Sequence, residues 1–88
     1  MLPSIQVDGK LTTVHTDEMT LWFSYTTLVA FRLGAEKVVQ KNEWSVTTAK
    51  HLNQIDKGDV ANRVDGPTFA RKWKELTGNK PVPQGLLG

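Results

Sequence analysis

Cysteine is absent from the chain, which excludes disulfides and thiolate metal sites and fits a reducing compartment. Histidine is scarce: His15 and His51 are the only two. Neither belongs to an H-x-x-x-H pair or a carboxylate cluster, so no metal or cofactor is expected. No glycine-rich phosphate loop and no nucleophile elbow surround Ser24, Ser45 or the threonines. An enzyme is therefore the least expected class, although His15 and the following Thr16, Asp17 and Glu18 could form a lone acid/base or metal group. A turn before a strand explains those residues equally well.

Long apolar runs are also missing. The longest is "LVAF", too short to cross a bilayer, and "MLPSIQVDGK" lacks the basic start and apolar core of a signal peptide. The expectation is an intracellular, soluble protein without a membrane partner. Net charge is only +2, too small to announce a polyanion. Residues 1–44 carry four basic and five acidic side chains and residues 45–88 carry seven and four, so the halves differ as −1 and +3.

What is present suits one small domain. Eighty-eight residues leave no room for a second core, and a chain of this size buries only roughly 60–65 % of its unfolded surface. Seven aromatics supply most of the apolar area: Trp22, Phe23, Tyr25, Phe31, Trp44, Phe69 and Trp73.

The first half reads as strands. Asp8-Gly9 lies between two β-prone runs and signals a hairpin. In "TLWFSYTTLVAFRLG" apolar residues alternate on both sides of a turn near Tyr25-Thr26-Thr27. Gly34 marks another turn, and "KVVQK" another strand. The second half reads as helices. Thr48, Leu52 and Ile55 form one short stripe that ends near Lys57-Gly58. Phe69, Trp73 and Leu76 form a second, opened by Asp65 or Thr68 with Pro67 and closed by Gly78.

The expected fold is α+β: an antiparallel meander of three to five strands, followed by two short α-helices packed on one face. Trp44 is the expected hinge, against Leu52 or Trp73. Residues 1–78 form the domain, and 79–88, with Leu86-Leu87 near its end, a tail that is flexible or docked on a partner. A homo-oligomer is plausible through the sheet edge or this tail.

Two polar constellations stand out. "WSVTTAKHLN" sets Ser45, Thr47, Thr48, Lys50, His51 and Asn53 where a helix begins. A helix start presents free amides and a positive dipole end, so hydroxyls with Lys50 and His51 there suit a phosphate or carboxylate. In the plainer reading Ser45 or Thr47 caps the helix and Lys50 is solvated. The last helix carries Arg71 and Lys74 away from its apolar stripe and Lys72 at its flank, with Arg63 and Lys80 near in sequence. This set could follow a nucleic-acid backbone or simply keep the helix solvated, with Arg71 paired to Glu75.

"LWFSYTTLVAF" and "KNEWSVTTAKHLNQI", followed by a short polar link and a last helix, resemble a family of small uncharacterised proteins encoded by tailed bacteriophages. The match is good over residues 19–56 and looser elsewhere, with Ala49 where relatives tend to carry glycine. Asn42, Lys50, His51 and Asn53 belong to the signature. The resemblance implies a viral origin and work in the host bacterial cytoplasm, without a mechanism. The expected function is a non-enzymatic accessory protein that binds and blocks a host bacterial protein, as a host-takeover or anti-defence inhibitor. The alternative is a nucleic-acid or nucleotide binder using residues 45–51 and the basic last helix.

Overall fold

The structure is a computed structural model, in which residues 4–25, 27–42 and 46–80 are described. Five strands come first: β1 (Ser4–Asp8), β2 (Leu11–His15), β3 (Met19–Ser24), β4 (Thr27–Leu33) and β5 (Glu36–Val39). Then follow α1 (Val46–Asp56), a single 3-10 turn (Val60–Asn62) and α2 (Gly66–Thr77). The strands lie in chain order in one antiparallel sheet, so the fold is the expected α+β meander followed by two helices. Trp44, Ser45, Thr26 and the tail from residue 81, which carried the hinge, cap, turn and docking expectations, lie outside the described residues.

Two-residue turns set the register of three hairpins. Asp8 pairs with Leu11, Ser24 with Thr27 and Leu33 with Glu36. Each turn opens with a residue of positive φ: Gly9 at 61°, Tyr25 at 59° and Gly34 at 60°. Such turns match the strand twist, and glycine enters that conformation without strain. Tyr25 does not. Between Trp22 and Phe23 the pairing slips, from Trp22 opposite Ala30 to Phe23 opposite Leu28. Val29 is thus the extra residue of a bulge.

The helices do not share a face, which corrects the single-face packing. Neighbouring strand residues point to opposite sides. Ala30 and Val39 pack with Leu52 and Ile55 of α1, together with Leu11, Val29 and Trp22. Their chain neighbours Phe31 and Val38 pack with Phe69 and Trp73 of α2, together with Phe23 and Leu28. The cause is legible in β4 and β5, which are apolar on both sides, so each face requires a cover.

Passing from one face to the other, the chain must round the β5 edge, and it pairs there. Gln40 and Val64 form a parallel bridge, with the Val64 amide donating to Val39 O and the Lys41 amide to Val64 O. One edge of the sheet is therefore engaged. β1, at the other edge, is exposed along its whole length.

Helix ends follow from local chemistry. The Asp65 carboxylate accepts from the Thr68 amide at the start of α2, Pro67 sits in the first turn, and left-handed Gly78 closes the helix onto Lys74 O. The last turn of α1 has no basic residue of its own. Lys37 of β5 fills that role, donating to Ile55 O while lying over the Trp22 ring.

Candidate functional site

The inner side of α1 carries a buried polar knot. Thr48 and His51 are buried beside Leu52 and Ile55, and Ser24 is buried where β3 ends. Ser24 Oγ lies 3.0 Å from Thr48 Oγ1 and 2.7 Å from His51 Nδ1. The exposed Tyr25 sets its ring 6.2 Å from that of His51. Among the described residues no buried side-chain nitrogen or oxygen lacks a partner. The knot is thus satisfied, and it fixes α1 on the sheet.

This placement divides the constellation expected at the helix start. Thr48 and His51 face the sheet, whereas Thr47 and Lys50 are exposed. The four do not line one solvent-open anion pocket, because a step of about 100° per helical residue turns neighbours apart. Ser45 lies outside the described residues. Asn53 serves a different group: its Oδ1 accepts from Arg63 Nη2 at 3.0 Å.

Arg63 is withdrawn from the surface, contrary to its expected place in a basic patch. Its Nε and Nη2 donate to the two Asp56 carboxylate oxygens at 2.8 and 2.9 Å. The two side chains are only 6 % and 8 % exposed. The fork matches the carboxylate geometry. The bonds to Arg63 hold the Asp56 carboxyl below its ordinary range, against the opposing effect of burial. The same bonds raise Arg63. The polar connection expected after α1 is therefore a clasp that ties the 3-10 turn to the end of that helix.

On α2, Arg71 and Lys74 are exposed and Lys72 is half-buried. Arg71 stands 3.8 Å from Glu75, both well exposed, so its charge is partly answered by a weak pair. With Arg63 held by Asp56, the basic face shrinks to these residues and Lys80.

The larger surface feature is apolar. On the α2 side, pairing aligns Ile5, Val14, Leu21, Phe31 and Val38 in a row straight across the sheet. Phe69 and Trp73 cover the far end, with ring centroids 5.2 and 5.0 Å from Phe31. Burial then fades along the row. Phe31 and Val38 are buried, Val14 and Leu21 are half-buried, and Ile5 is 62 % exposed. Val7, two residues along β1, is 68 % exposed, and Leu76 at the end of α2 is also uncovered. The α1 side behaves differently: its row runs Gln6, Thr13, Trp22, Ala30, Val39 and becomes polar where α1 stops covering it. One face is therefore finished for water, and the other continues apolar past its helix.

Ile5 and Val7 were not singled out from sequence, although a signal existed. The first strand of a meander is an edge, and the alternation Ile5-Gln6-Val7-Asp8 puts both aliphatics on one side. The Arg63–Asp56 pair had no such signal, because it spans a left-handed Lys57-Gly58 break that no periodicity crosses.

Among the described residues no helix is long and apolar enough to cross a membrane. Neither a curated protein nor a solved structure matches the chain. A family model does, over residues 5–75: the chain belongs to a family of unknown function, DUF8033.

Proposed function

We propose that this protein is a small phage-encoded accessory protein that works without catalysis in the host bacterial cytoplasm, docking on a host protein and blocking it. The observation that carries the docking reading is the half-covered row. Along the row only Phe31 and Val38 are fully buried beside α2; Val14 and Leu21 pack against that cluster but stay half-buried, and Ile5 continues the apolar surface into the open. A patch of this kind, rimmed by polar residues, is characteristic of protein-binding surfaces. The polar finish of the opposite face argues that the apolar one is not a by-product of a thin core. Support for a phage origin comes from the "LWFSYTTLVAF" and "NEWSVTTAKHLNQI" resemblance. The non-catalytic reading is supported by Ser24 and His51, which are buried and engaged with each other rather than presented to a substrate.

Affinity capture from bacterial lysate, with the bound proteins identified by mass spectrometry, tests the reading. The parent chain is expected to retain a stoichiometric host protein that an Ile5→Lys, Val7→Lys double variant loses. Equal recovery by both chains, or a clean lane from the parent, would contradict it. Recovery of nucleic acid instead, lost with added salt and in an Arg71→Glu, Lys74→Glu variant, would transfer the function to the outer face of α2.

A further inference from the structure

We infer that the β1 edge is also a self-association edge: a second copy of this chain pairs with it, antiparallel about Gln6, joining two five-stranded sheets into one. This goes beyond the docking reading and does not rest on it.

The geometry begins with the β1–β2 turn. A two-residue turn is flanked by a pair that exchanges both ladder hydrogen bonds, and hydrogen-bonded pairs then alternate along the ladder. Asp8 and Leu11 are that flanking pair. Ser4, Gln6 and Asp8 thus direct their amides and carbonyls at β2, whereas Ile5 and Val7 direct theirs outward. With the two-fold axis at Gln6, Ile5 of one copy meets Val7 of the other and the reverse. Each pair exchanges two bonds, so all four outward groups of both residues in each strand are used. The segment is its own complement.

Charge selects the same register. Asp8 is the sole charged residue of β1, and it falls opposite the partner copy's Ser4, a neutral hydroxyl. Moving the axis to Asp8 would oppose two carboxylates. Sheet edges are usually blocked by lysine, proline or a bulge, and Ser4–Asp8 carries none of these. The other edge is engaged by the Gln40–Val64 bridge. Ile5 and Val7 of both copies share one face, so the pairing joins the two half-covered rows into one apolar surface between two α2 helices. A five-residue edge is smaller than the roughly 800 Å² per partner of a standard interface. The association is therefore a concentration-dependent equilibrium rather than an obligate dimer.

Sedimentation velocity on the full chain over a wide concentration series, extending to several hundred micromolar, tests the inference. The parent is expected to shift from monomer to dimer as concentration rises. Val7→Pro removes an outward donor without touching the β2 ladder, and it is expected to stay monomeric throughout. The Ile5→Lys, Val7→Lys variant is a second block that keeps every backbone donor, and it decides the matter should the proline variant fail to fold by circular dichroism. A parent that remains monomeric to the top of the series would overturn the inference. So would a dimer that persists in a folded blocked variant. Host capture by a monomeric parent would leave the docking reading standing and give the edge to a partner's strand. A dimer that captures nothing would do the reverse.

Discussion

Ser24 Oγ and His51 Nδ1 lie 2.7 Å apart, joining the end of β3 to the middle of α1 in a buried contact that also takes in the Thr48 hydroxyl. One small side chain thus serves two polar groups on the helix. Its loss takes the partner of His51 Nδ1 and one contact of Thr48, and a buried polar group without a partner costs about 1–3 kcal/mol. Ser24→Ala is therefore expected to lower stability by roughly that amount in a denaturant titration, and Ser24→Thr by less where the extra methyl fits. A Ser24→Ala curve that overlays the parent would show that the knot does not hold α1.

Arg63 offers a sharper contrast between two cations. Its fork engages both Asp56 oxygens and Asn53 at once, which a lysine cannot do. Arg63→Ala leaves a nearly buried carboxylate with backbone amide donors from Gly58 and Asp59 but without its cation, and loss of one partner of such a pair costs up to about 3–5 kcal/mol. Arg63→Lys is expected to recover only part of it. Thermal melts of the two variants check this; indistinguishable melts would remove the clasp.

Acid sensitivity follows from the same carboxylate. Bonds from Arg63 lower Asp56, and bonds from Thr68 lower Asp65, so in both the folded pKa lies below the unfolded one. Their contribution is complete above the ordinary carboxylate value of about 4 and is lost as pH falls through the lower folded values. Stability is thus expected to be level near neutrality and to drop in acid, with a shallower drop in Asp56→Asn. An acid profile unchanged in that variant would contradict the assignment.

Tyr25 occupies a turn position that glycine fills in the other two hairpins. A left-handed conformation costs a non-glycine residue about 1–2 kcal/mol, and the ring rests near His51. Tyr25→Ala keeps the strain and loses the ring, whereas Tyr25→Gly loses both. The glycine variant is expected to be the more stable of the two by about 1 kcal/mol. The reverse order, read from urea midpoints, would mean that backbone strain is not the governing quantity there.

Much of the fold was legible because it rests on short-range rules. Glycines at the first turn positions, alternation through β3 and β4, and the Asp65–Pro67–Gly78 punctuation each act within a few residues. Face assignment was not legible, since it depends on which of two apolar sides each helix takes, a matter of long-range packing. The helix-start constellation divided for a similar reason. The Thr48–Leu52–Ile55 stripe put Thr48 inward, but only the sheet supplies Ser24 to receive His51. Trp73 was readable as core from its stripe and is buried against Phe31. Leu76, in the same stripe, is 38 % exposed and takes no part in the α2-side core.

The half-covered row itself is tested most directly by methyl NMR of the protein titrated with the host protein that it captures. The methyl signals of Ile5, Val7, Val14 and Leu21 are expected to shift or broaden, while those of Ala49 and Ala70 on the helices stay in place. Perturbations confined to α1 and α2, with the β1 and β2 methyls unmoved, would contradict that expectation.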